Sequence, residues 1–141
     1  MAETKSRPTG ASVDDFLAAV PDSQRREDAR ALREMMERVS ALTAYMFGPT
    51  IVGFGTYRYD YASGHGGEAP RIGFSPRGRE LVLYISPKLL ADAGRTARLG
   101  KVRTGKSCLY VKRLADIDVR ELEILVEQSL AETDKAYPQA S

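Results

Sequence analysis

At Gly48 the apolar residues of this chain change period, from recurring every three or four positions to recurring every second one, so helices and strands must occupy separate blocks. "IVGFGTYRYDY" (51–61) sets Tyr57, Tyr59 and Tyr61 on one side of an extended segment and Thr56, Arg58 and Asp60 on the other. "ASGHGG" then breaks the chain into a turn or loop. "RIGFS" and "ELVLYIS" follow, and the intervening "PRGR" suits a tight connection between antiparallel strands. "SCLYVKR" supplies one more strand.

The flanking blocks are helical. Ser12 caps a short run, "SVDDFLAAVP", and Asp22 or Ser23 opens a longer helix to about Leu42 that sets Ala29, Leu32, Met36 and Val39 on one face. On its charged face Glu34 and Arg38 stand four apart in the favourable order. After Ser86 and Pro87, "KLLADAGRTARL" continues helically until Gly100 stops it. Asp118 and Glu121 head a final helix whose buried face is Val119, Leu122, Leu125, Val126 and Leu130. These blocks predict one α+β domain over residues 12–134: an antiparallel meander of four to five strands packed with N-terminal, middle and C-terminal helices. Residues 1–11 and 135–141 are expected to be tails.

The 141 residues fit a single domain, and no apolar run approaches the ~18 residues that a membrane span needs. The polar N-terminus carries no apolar leader, so a cytoplasmic location without a membrane partner is expected, as a monomer or homodimer. Cys108 is the only cysteine, which excludes an intramolecular disulfide and four-thiolate zinc sites. Any metal would be bound through oxygen.

"GKVRTGKS" (100–107) matches the phosphate-loop pattern at Gly100, Gly105, Lys106 and Ser107. A working phosphate loop leads from a strand into a helix, whose N-terminal amides converge on the phosphates. Here a helical pattern precedes the loop and an alternating one follows it, so the match is read as a coincidence and no enzyme is expected. Gly100 is then a helix stop and Gly105 a turn residue, which leaves Lys101, Arg103 and Lys106 as loop charges.

Charge is unevenly spread. Residues 71–113 hold 11 basic and two acidic side chains, and residues 114–141 hold two and seven. The basic segment either meets an anion, with weak nucleic-acid binding as one alternative, or is neutralised by the acidic last helix.

The tyrosines are the most distinctive candidates. If residues of one parity share a face, Tyr57, Tyr59, Tyr61, Tyr84 and Tyr110 lie together with Cys108 and Ser86, while Leu81, Leu83, Ile85, Leu109 and Val111 lie opposite. A tyrosine face accepts a second helix or lines a pocket whose hydroxyls hold a polar ligand. With Arg103 and Lys106 nearby, a non-catalytic module for a small anionic ligand or a protein segment is the expected function. His65, the one histidine, sits in "SGHGG" without a partner for metal or catalysis.

"LGKVRTGKSCLYVKRLADID" (99–118), with "FGTYRYDYASG" (54–64), "GFSPR" (73–77) and "LYIS" (83–86), resembles the YdhG-like family of domains of unknown function over roughly residues 12–134. The resemblance implies a compact α+β domain. Some relatives are frataxin-like intracellular iron chaperones, so iron delivery enters as an alternative implied by the family. On this chain the acidic pair one turn apart, Glu123 and Glu127, would carry it, because a hard cation is held by clustered carboxylates. In "GEAP" this chain has Ala69 where relatives often place tryptophan before the proline, which reduces any aromatic wall there.

Overall fold

A computed structural model describes residues 8–60 and 66–138. In chain order the elements are β1 (Pro8–Thr9), α1 (Val13–Ala18), α2 (Ser23–Ser40), β2 (Tyr45–Phe47), β3 (Ile51–Phe54), β4 (Tyr57–Asp60), β5 (Gly66–Ala69), β6 (Ile72–Arg77) and β7 (Glu80–Tyr84). They continue with α3 (Pro87–Leu90), α4 (Ala93–Ala97), β8 (Arg103–Thr104), β9 (Cys108–Val111), a 3-10 turn (Leu114–Asp116) and α5 (Val119–Ala136). Seven strands form one antiparallel sheet in the order β1-β2-β3-β6-β7-β9-β8, and β4 and β5 form a separate two-stranded ribbon. The fold is α+β, as the sequence predicts.

Register explains the core. Val52, Phe74, Leu83 and Leu109 stand directly opposite one another across β3, β6, β7 and β9, so they share a face. That face, with Met46, Phe54, Ile72, Leu81 and Val111, joins one cluster with Leu32 and Met36 of α2 and Leu122, Leu125 and Val126 of α5. The opposite row reads Tyr45, Gly53, Gly73, Tyr84 and Cys108. Phe47 and Val82 on that side are buried yet stand outside the cluster, so the helices cover one face only.

Capping follows the sequence. The side chains of Ser12, Asp22, Asp92 and Asp118 each accept a bond from the backbone amides of the helix they open. Buried Ser129 on α5 accepts a bond from the Ser86 amide at 2.8 Å, tying that helix to the end of β7.

Several expectations need correction. The extended segment 51–61 is two strands, because Gly55 turns with a φ of 68° that a side chain disfavours. Tyr57–Asp60 and Gly66–Ala69 therefore pair apart from the main sheet, and the chain returns to it at Arg71, whose amide donates to the Gly55 carbonyl. "KLLADAGRTARL" is two short helices, since the Asp92 side chain caps a new start at Ala93. Arg38 turns from Glu34 to Glu123 of α5 at 2.9 Å, a partner 85 residues away. Val119 is 39% exposed rather than part of the buried face. Finally, β1, β2, β5 and β8 add strands to the four or five expected, and β1 lies inside the expected N-terminal tail.

Candidate functional site

A groove of about 580 Å³ opens at one end of the sheet, on the face that the helices leave uncovered. Its floor is Phe47, Ile51 and Tyr84, the last at the end of β7. One wall is the returning ribbon, with Tyr57, Pro70 and Arg71. The other is the last turn of α5, where Thr133, Ala136 and Tyr137 reach past the strand ends. Tyr57 and Tyr137 stack with ring centroids 4.6 Å apart, closing the two walls on each other.

Charge sits at the rim. Arg71 Nη2 pairs with Asp134 at 2.6 Å and Lys88 Nζ approaches Glu132 at 3.6 Å, so basic residues of the middle segment meet the acidic helix here. Arg71 Nε is buried with no hydrogen-bond partner among the described residues. A donor left this way costs about 1–3 kcal/mol. Burial raises the Tyr84 hydroxyl above its ordinary value, with Arg77 opposing the shift, so this hydroxyl stays a donor at neutral pH. Tyr45, whose hydroxyl donates to the Gly55 carbonyl at 2.8 Å, is pushed up to about 12 by burial and then by Glu68.

The proposed residues are divided by the fold. Tyr57 and Tyr84 line the groove, Tyr59 sits beside Tyr57 on the ribbon at 6.2 Å, and Tyr61 and His65 lie outside the described residues. Tyr84 and Tyr110 do share the helix-free face of the main sheet, whereas Tyr57 and Tyr59 belong to the separate ribbon. Arg103 lies 3.9 Å over the Tyr110 ring and pairs with Glu80 at 2.8 Å, which commits it away from the groove. Lys106 is exposed in the turn that returns the chain to β9, beside the groove residue Ser107.

Residues 100–107 lead from α4 toward β9, and within them β8 pairs back on β9, with the Gly105 amide donating to the Cys108 carbonyl at 2.8 Å. No helix begins at Lys106 or Ser107, so the amides there do not converge as in a phosphate loop. Glu123 is held by Arg38, whose hydrogen bond draws its carboxyl below the usual range, and among the described residues no three acid, histidine or cysteine side chains gather to hold a metal. The Arg38 guanidinium thus neutralises one of the two carboxylates, Glu123 and Glu127, named for the iron alternative.

Arg71 and Tyr137 were missed in the sequence. Tyr137 falls in an expected tail, and nothing local marks Arg71 as the residue where the ribbon rejoins the sheet. Compared with protein-family models, curated proteins and solved structures, the chain matches none.

Proposed function

We propose that this chain is a non-catalytic binding module whose groove takes a small, planar, largely apolar molecule with one anionic end. The volume lies within the range of small-molecule sites, roughly 300–1,000 Å³. Tyr84 offers a ring and a hydroxyl, the stacked Tyr57 and Tyr137 an aromatic wall, and Phe47, Ile51 and Pro70 supply apolar contact. The observation that carries the reading is Arg71 in the lining of this groove, with a buried Nε that has no acceptor among the described residues and a carboxylate partner, Asp134, that is more than half exposed. An exposed pair of this kind is weak enough for an incoming anion to compete. Arg103 has no part in the groove, so the anionic contact moves from the 101–106 loop to Arg71. Membership of the YdhG-like family belongs to the same proposal. The iron alternative is less favoured because Arg38 neutralises Glu123.

Anilinonaphthalene sulfonate has the required shape and charge. Titrated into the folded chain, the dye should bind at one saturable site. Tyr84→Glu and Ala136→Trp, which charge or fill the groove, should each weaken it by roughly tenfold or more. Unchanged binding in both variants, with their thermal unfolding cooperative, refutes the groove as the site.

A further inference from the structure

The opposite end of the sheet carries a second concave surface, unlike the first in chemistry. There the β6–β7 turn, the exit of β9 and the first turn of α2 enclose a basin of about 700 Å³. Arg25, Arg79, Lys112 and Arg113 line it against two acids, Asp22 and Asp116. Asp22 is already committed, since its side chain accepts the Arg25 amide at 2.8 Å as the cap of α2. Among the described residues none of these four cations has a carboxylate within ion-pair distance, whereas Arg30, Arg33, Arg38, Arg71, Lys88 and Arg103 each do. Four cations against two carboxylates, neither of them within ion-pair distance, leave the basin net positive and favour an anion between the cations.

The basin is also held in shape. Asp28, a buried carboxylate, accepts bonds from Gln24 Nε2 and from the Leu114 amide, both at 3.1 Å. It thereby ties the start of α2 to the segment carrying Lys112 and Arg113, so a ligand does not have to gather the cations itself. Past Arg25 and Gly78, which belong to both, the basin adjoins an apolar cleft of about 330 Å³ formed by Phe16, Ala19, Val20, Pro21 and Pro76. Cations on one side and apolar surface on the other match a molecule with the same division.

We propose that these adjoining depressions bind a small molecule carrying two or more phosphates on an apolar or aromatic body, with the phosphates among Arg79, Lys112 and Arg113 and the body against Phe16 and Pro76. Arg25 stands at the junction. A nucleic-acid strand is a poorer fit, because stacking of successive bases needs several exposed rings and the cleft offers one half-buried phenylalanine.

The test is calorimetric titration of the full chain at low salt with adenosine triphosphate, tripolyphosphate and adenosine as probes. Adenosine triphosphate should bind saturably, tripolyphosphate several-fold more weakly, and adenosine not detectably. Arg79→Ala combined with Lys112→Ala, both exposed positions, should weaken adenosine triphosphate by roughly tenfold or more. Ala19→Trp, which fills the cleft, should weaken adenosine triphosphate and leave tripolyphosphate unchanged. Lys106→Ala, at the far end of the sheet, should change neither. The proposal is overturned if adenosine triphosphate fails to bind at millimolar concentration, if the double variant binds it as well as the parent, or if tripolyphosphate binds equally tightly. It is also overturned if a single-stranded oligonucleotide competes and binds more tightly.

Discussion

The two faces of the seven-stranded sheet are built from alternate residues of the same strands, yet they are stabilised differently. On the helix-covered face, Val52, Phe74, Leu83 and Leu109 form a continuous apolar row that α2 and α5 seal. On the other face the matching row has two glycines at its centre, with Tyr45 and Tyr84 flanking them. Large side chains lie over the gaps: Pro70 and the Tyr45 ring cover Gly53, and Ile51 reaches Gly73. One face is thus a core held by burial between elements, and the other a thin layer held by side chains of the sheet and the ribbon. A groove persists at the end of the second, where the helices supply only a wall and do not cover the strands.

The largest expected effect tests that division at two neighbouring residues. Leu83→Ala should cost about 2–5 kcal/mol, read by denaturant unfolding, because it leaves a cavity inside the sealed cluster. Val82→Ala removes two methylene equivalents from the thin layer and should cost about 1.5 kcal/mol. Equal losses would mean that the helix-free face carries a core of its own.

A smaller effect probes how close the thin layer lies to the backbone. A Cβ at Gly73 would stand 2.8 Å from the Val52 carbonyl oxygen, a backbone atom of the adjacent strand that cannot swing aside. Gly73→Ala should therefore destabilise by about 1–3 kcal/mol, as overpacking does. No change in midpoint would show that β3 and β6 separate easily here, and the groove floor would then be soft.

The smallest concerns the Tyr45 hydroxyl. Its value rises from 10.0 to about 12 on folding, so the folded chain keeps a proton that the unfolded chain has lost. The associated stability is fully present below pH 10 and disappears as pH climbs from 10 through 12. With the ring half-buried, solvent screening leaves an effect on the order of 1–2 kcal/mol. Tyr45→Phe should lose about 1 kcal/mol at neutral pH with its bond to Gly55 and flatten the alkaline fall. A variant with the same alkaline slope as the parent would assign that fall to other groups.

Much of the helix-covered face was legible in the sequence, because alternation in "ELVLYIS" and three-four spacing in the terminal helices are local and each is enforced by burial. The caps at Ser12, Asp22 and Asp118 were legible for the same reason, since a cap needs only the amides two or three residues ahead. The site was less legible. Tyr57 and Tyr84 were in view, but parity alone placed all the tyrosines on one sheet, and Gly55 sends two of them elsewhere. Arg38 offered an ideal local partner in Glu34 and took Glu123 instead.

The sequence by itself determined the α+β class, the antiparallel character of the central strands and most of the residues that had to be buried, because periodicity, caps and turns act over a few residues. Only the tertiary structure decided that the ribbon returns at Arg71, that the end of α5 brings Tyr137 onto Tyr57, and that Arg25 meets Arg79, Lys112 and Arg113 around one basin. Those meetings join segments tens of residues apart, and they depend on how the helices settle on the sheet, which no local pattern specifies.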